Sequence, residues 1–255
     1  MTDFIVILPG ATGGGRYITV LRDAFHKQFG ENVWIPSSVS TPEGFLVNEN
    51  LGQRYDRLGK YIDQKIVDKN LILIGHSLGA IEISNILEKL SKTPQKIILI
   101  SPPLMKMNWI VGYIKLFLFP AFYEQFVYDP PNTKNRLKIF LRSFGLHKAI
   151  QDEFHGRNVK EELHGKYLAK YGEENVNKKG YLKYYRQFLK DTWSSWYKGV
   201  ELPPNSKVIQ IISEHDPLSL DYPGVTQKYY LEKAAHSSLG YRPEILIEIL
   251  QTITS

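Results

Sequence analysis

Nine consecutive residues constrain this chain more than any other stretch: Leu71-Ile72-Leu73-Ile74-Gly75-His76-Ser77-Leu78-Gly79. Four aliphatic residues in a row, without polar alternation, make a strand buried on both faces, which is the habit of a parallel sheet. The glycines then permit a sharp turn, and Ile81, Ile83, Ile86, Leu87 and Leu90 carry on into a helix. A G-x-S-x-G sequence between strand and helix has a physical meaning. The turn forces the serine into a strained backbone conformation and presents its hydroxyl above the sheet edge. The flanking glycines let the helix approach the strand closely, and the N–H groups at the helix start favour a negative charge developing beside the serine. Outside that context, the same five residues make only a small-residue turn in an unrelated βαβ unit.

The rest of the chain alternates in the same way at both ends. Phe4–Leu8 is an apolar run, Arg16–Gly30 carries Leu21, Ala24 and Phe25 at helical spacing, and Val33–Ile35 is a short strand. The polar stretch Pro36–Asn50 reads as a loop. Leu51, Tyr55, Leu58 and Ile62 mark an amphipathic helix. A strand at Lys96–Ile100 follows the G-x-S-x-G helix. Further on, strands at Lys207–Ile212 and Thr226–Leu231 precede a closing helix near Arg242–Ile253. Repeated β-α units of this kind predict a parallel sheet with helices on both faces.

Between Ser101-Pro102-Pro103 and Leu202-Pro203-Pro204 the pattern changes. No buried-strand run occurs there, and the apolar spacing is helical, as at Tyr181, Tyr184, Tyr185, Phe188 and Leu189. Residues 1–103 and 205–255 therefore form the expected core, with 104–204 a helical insertion. Lys and Arg outnumber Asp and Glu within the insertion, while the remainder is nearly balanced, for a net charge of +6 overall. Such a basic segment suits solubility, or weak contact with an anionic membrane. The greasiest stretch, Trp109–Tyr123, is broken by Lys115 and Pro120 and is too short for a good membrane span. Met1-Thr2-Asp3 runs directly into the first strand without a basic start, which does not read as a signal peptide, and a cytoplasmic location is expected. With no cysteine in the chain, a cysteine nucleophile, disulfides and thiolate metal sites are excluded.

On the Gly75–Gly79 motif and the strands around it, the chain resembles the α/β-hydrolase family over residues 4–101 and 207–253. The resemblance implies an α/β-hydrolase fold: a mostly parallel sheet of about six strands, helices on both faces, and a large helical cap insertion. The family's opening pair of strands is missing here. The implied chain order is nucleophile, acid, histidine. The strand Val208–Ile212 leads into Ser213-Glu214-His215-Asp216-Pro217, where the family usually shows Gly-x-x-Asp. Ser213 takes the glycine position and Asp216 the acid position, with Glu214 as the alternative. The family's histidine follows the last strand, and here that loop is Ala234-Ala235-His236-Ser237-Ser238. His236 is thus the expected base. His215, beside the acid, is poorly placed to reach Ser77, and His76 reads as a packing or supporting residue.

The chemistry needs this set. A serine hydroxyl is a weak nucleophile until a base removes its proton, and imidazole can do so near neutral pH and then protonate the leaving group. The carboxylate holds the tautomer and stabilises the imidazolium. The oxyanion calls for two donors: the N–H of Leu78, and one from the loop Gly10-Ala11-Thr12-Gly13-Gly14-Gly15, with Ala11 the first choice and Thr12 the second. Where the family often has His-Gly, this chain has Pro9-Gly10.

Two rival readings exist. Gly10-Ala11-Thr12-Gly13 also resembles the opening of a short-chain-reductase dinucleotide loop. The third glycine of that pattern would fall at Arg16, and the next strand ends Ile35-Pro36-Ser37-Ser38, with no acid to hold a ribose hydroxyl. A hydrolase fold kept as a non-catalytic binding module is the other, and the complete set of three catalytic residues speaks against it. Serine at position 77 disfavours the aspartate-nucleophile relatives that open epoxides. The insertion's Met105, Met107, Trp109, Tyr113, Phe117, Phe119 and Phe122 could line an apolar pocket. Expected, then, is a serine hydrolase that cleaves a carboxylic ester or thioester of an apolar acyl group, with no cofactor, no metal and no nucleic-acid partner.

Overall fold

Strands that must be apolar on both faces need a helical layer on each side, and the alternation of side chains decides which residue meets which layer. In this computed structural model, residues 2–10, 16–38, 44, 46, 49–102, 202–204, 206–213, 222, 224–231 and 243–254 are described. The strands are β1 (Thr2–Leu8), β2 (Val33–Trp34), β3 (Lys69–His76), β4 (Lys96–Ile100), β5 (Lys207–Ser213) and β6 (Gln227–Leu231). Among the described residues, the α-helices are α1 (Arg16–Phe29), α2 (Leu51–Lys65), α3 (Leu78–Leu87) and α4 (Pro243–Thr254). The expected helical cap at 104–204 lies outside the described residues, apart from 202–204.

All strand pairs are parallel, in the order β2-β1-β3-β4-β5-β6. Each aliphatic run splits cleanly between two cores. Ile5, Ile7, Ile72, Ile74, Ile98, Ile100, Ile209 and Ile211 join Leu21 and Phe25 of α1 and Leu246 and Leu250 of α4. Phe4, Val6, Leu8, Leu71, Leu73, Ile97 and Leu99 face Tyr55, Leu58 and Ile62 of α2 and Ile83 and Ile86 of α3. Each fully buried aliphatic or phenyl side chain contributes about 1.5–3 kcal/mol by leaving water.

The polar strand ends are explained by pairing. Thr2 stands opposite Lys69 and Asp3 opposite Asn70 in the β1–β3 register, and the Asn70 amide donates to Asp3 Oδ1 at 3.1 Å. Both strands therefore start before their apolar runs. β2 ends one residue earlier than its sequence suggests, because the Ile35 carbonyl accepts from Arg22 Nε at 2.8 Å, outside the ladder. Helix α2 opens on a reciprocal cap, in which Asn50 Oδ1 accepts from the Gln53 N–H and Gln53 Oε1 from the Asn50 N–H, both at 2.9 Å.

The connection from β1 leads outward to the edge strand β2, and that from β3 leads the other way to β4. Neighbouring strands whose connections diverge leave a crevice at their carboxyl ends. Gly10 follows one of these strands and Ser77 the other. Among the described residues, no helix is long and apolar enough to cross a membrane.

Phe25 is wholly buried under α1, so Phe25→Ala should cost about 3–5 kcal/mol in urea denaturation. Val67→Ala, at a side chain 74% exposed, should change stability by less than about 0.5 kcal/mol.

Candidate active site

The serine turn is built by close backbone approach. A β-carbon added to Gly75 would lie 2.5 Å from the Ala80 α-carbon, and one on Gly79 would lie 2.0 Å from the Leu8 carbonyl oxygen. Only glycine lets α3 start this near β3 and β1. Between them Ser77 adopts φ 52, ψ −116, a region that costs a residue with a side chain about 1–3 kcal/mol. The Ser77 N–H donates to the Ile100 carbonyl and its own carbonyl accepts from the Ala80 N–H, at 2.9 and 3.0 Å, so the turn is held from both ends. The Ser77 side chain makes no capping bond to the first turn of α3. Leu78, the expected oxyanion donor, is the first residue of that helix, where backbone N–H groups lack intrahelical acceptors.

Gly10 closes the crevice from the β1 side. A β-carbon there would lie 3.0 Å from the Ser77 β-carbon and 3.2 Å from His76 Nδ1. His76 itself is buried at the end of β3, in keeping with a packing role. Ala11 and Thr12, Asp216 and Glu214, and His236 lie outside the described residues. The strand ends that lead toward them are in place. Ser213 closes β5, buried, with its Oγ 3.5 Å from that of Ser101.

Three features were not foreseen in the sequence. Ser101 has φ 45, and it shares with Ser77 the distinction of being a non-glycine residue at positive φ among the described residues. Both stand at the carboxyl ends of neighbouring strands, and local strain collects at functional sites. Its signal in the sequence was slight: a serine between an apolar run and a proline pair.

The second feature is a buried ion pair. Arg54 of α2 and Glu82 of α3 are 1% and 0% exposed, with Arg54 Nη2 3.1 Å from Glu82 Oε1. Arg54 also donates through Nη1 to the Gly44 carbonyl, and through Nη2 to the Ser37 carbonyl at 3.1 Å. Glu82 Oε2 has no hydrogen-bond partner among the described residues. Burial pushes the Glu82 carboxyl above its usual range, and Arg54 opposes that push. The third feature is a half-buried counterpart, Arg57, which grips both carboxylate oxygens of Glu49 at 2.6 and 2.8 Å and the Gly44 carbonyl at 3.1 Å.

No family model matches the chain, and no curated protein does. Solved structures do. A serine hydrolase from the polyaromatic-hydrocarbon-degrading bacterium Cycloclasticus zankles superposes with a TM-score of 0.57 at 12% identity, over 99% of this chain and 89% of that one. A laboratory-evolved potato epoxide hydrolase also gives 0.57, at 16% identity, over 99% and 93%. MenH from S. aureus gives 0.56 at 13% identity, over 99% and 93%. The chain has the α/β-hydrolase fold, as the sequence led one to expect, with a six-stranded all-parallel sheet.

Two outcomes test this geometry. Gly79→Ala should destabilise the protein by at least about 1–3 kcal/mol in urea denaturation, since backbone cannot rotate aside as a side chain can. Gly52→Ala, where a β-carbon meets only Asn50 Oδ1 at 3.5 Å, should be neutral or stabilising by up to about 1 kcal/mol.

The Arg57 hydrogen bonds hold the Glu49 carboxyl below its ordinary value of 4.5. A carboxylate favoured by the fold adds stability above that ordinary value and loses it as the pH falls through the lowered one. The melting temperatures of wild type and Glu49→Gln should therefore differ at neutral pH and draw together as the pH falls below that ordinary value.

Proposed function

We propose that the chain is a serine hydrolase that cleaves a carboxylic ester or thioester of an apolar acyl group through an acyl-enzyme. The observation that carries this reading is Ser77: strained, at a strand-to-helix turn, in the crevice where the β1 and β3 connections diverge, with the start of α3 behind it. The serine hydrolase among the structural neighbours is in keeping with it.

In this mechanism Ser77 Oγ attacks the acyl carbon as His236 takes its proton, and Asp216 stabilises the resulting imidazolium. The carbonyl π-electrons move to oxygen, and that oxyanion accepts hydrogen bonds from the N–H groups of Leu78 and Ala11. Collapse restores the carbonyl and breaks the bond to the alcohol or thiol, which leaves with the proton from His236. Water then attacks the acyl-enzyme by the same route, giving the acid and free Ser77. Removing one oxyanion donor in such a site typically lowers kcat about 10²–10³-fold. The apolar residues of the cap segment would select the acyl chain, each buried methylene adding up to about 0.8 kcal/mol.

A fluorophosphonate should label Ser77 and no other serine, as read by peptide mapping. Ser77→Ala should abolish p-nitrophenyl butyrate hydrolysis while melting within a few degrees of wild type. Asp216→Asn and His236→Ala should each lower kcat by several orders of magnitude, and the pair little further than His236→Ala alone, because such residues act as a unit. Full turnover by Ser77→Ala would refute the assignment.

A further inference from the structure

Ser38 lies 28 residues from Gly10 in sequence, yet its fully buried hydroxyl donates to the Gly10 carbonyl at 2.8 Å. Gly10 is also the residue whose α-carbon abuts Ser77. A peptide group is planar and trans, so its carbonyl and its N–H point to opposite sides. The carbonyl of Gly10 and the N–H of Ala11 belong to one such group. Holding the first therefore constrains the second.

We infer that Ser38 is a positioning residue for the oxyanion site: its hydroxyl sets the orientation of the Gly10–Ala11 peptide beside Ser77. This rests on the serine-hydrolase reading, and it adds a residue that neither the motif nor the expected triad contains.

The surroundings of Ser38 are those of a part held still. Arg54 donates to the carbonyl of the preceding residue, Ser37, at 3.1 Å. Arg22 reaches from α1 to the Ile35 carbonyl at 2.8 Å and to Ser37 Oγ at 3.2 Å. Gly44 packs so tightly on the Ser38 carbonyl that an added β-carbon would lie 2.2 Å from its oxygen, and Arg54 holds the Gly44 carbonyl in turn. Glu82 locks Arg54 from the helix that starts at the nucleophile. The buried ion pair therefore ties the segment that carries Ser38 to α3, and Ser38 ties that segment to Gly10. A donor that stabilises charge without reorganising must be aimed before the substrate arrives. This chain of contacts holds the Gly10 carbonyl in one orientation.

The test compares wild type, Ser38→Ala, Ser38→Cys and Ser38→Thr with p-nitrophenyl butyrate and an alkyl trifluoromethyl ketone, whose serine adduct carries an oxyanion. Ser38→Ala should lower kcat about ten- to a hundred-fold with KM within about twofold, a part of the loss expected when an oxyanion donor is removed outright. Affinity for the ketone should fall by the same factor as kcat. Ser38→Thr, which keeps the hydroxyl, should recover most of both. Ser38→Cys, a near-isosteric and weaker donor, should fall between, and it carries the test if the alanine variant does not fold. An unchanged kcat in folded Ser38→Ala or Ser38→Cys would overturn the proposal, as would KM rising in step with a lower melting temperature. Wild-type labelling by fluorophosphonate separates the two readings. If Ser77 is labelled and the Ser38 variants hydrolyse at the wild-type rate, only the aiming role falls. If wild-type Ser77 is unreactive, both fall.

Discussion

The contact on which the site depends is the approach of one helix start to two strands. Gly79 sits against the Leu8 carbonyl and Gly75 against Ala80, so α3 begins almost on the sheet surface. That leaves a single residue, Ser77, to turn the chain from β3 into α3, and it does so at positive φ. The strain is sustained because the structure around it is over-determined: the turn is hydrogen-bonded to β4 on one side and to α3 on the other. The stability of the two cores thus goes partly into holding one residue's backbone in a conformation it would not adopt alone.

Most of the architecture was legible because the sheet is buried on both faces. Runs such as Phe4–Leu8, Leu71–Ile74 and Lys96–Ile100 have no soluble alternative, and all six strands were found within two residues at either end. Of these, β3 differs most, beginning two residues before its apolar run and ending two after it, at His76. Boundaries blurred where pairing rather than hydrophobicity decides them, as at Thr2 and Lys69. At Ile35 a side chain from another element takes the strand's acceptor. The turn at Ser77 was legible for the same reason as the strands: glycines on both sides of a serine, between an apolar run and an apolar helix, admit few backbone paths.

What could not be read were contacts between residues that are unremarkable one at a time. Arg54 sits in an amphipathic helix, where an arginine reads as a solvent-facing position. Glu82 interrupts Leu78-Gly79-Ala80-Ile81 and Ile83, a helix with almost no polar face, and that was the one available hint that it must find a buried cation. Ser38 is a loop serine among several. Their meeting depends on how α2 packs on α3 and on the backbone at Ser37, Ser38 and Gly44, and no local period encodes that. A close physical reading of Glu82 could have demanded a partner. It could not have named Arg54.

The neighbours β4 and β5 pair in register, Ile98 opposite Ile209, and Ser206 Oγ donates to the Pro94 carbonyl across 112 residues of chain. Sequence distance of this size affects the rate of assembly more than the stability reached. The entropy of closing a loop grows only with the logarithm of its length, by about 0.6 kcal/mol for each doubling, so the excursion adds little to the equilibrium cost. Strands β1 to β4, by contrast, are laid down within the first hundred residues and joined by short local crossovers. During synthesis they can assemble with α1 to α3 before β5 has left the ribosome, and the open edge of β4 must then wait for its partner. Until then that edge presents the unpaired backbone of Lys96–Ile100, a template on which another strand can pair wrongly.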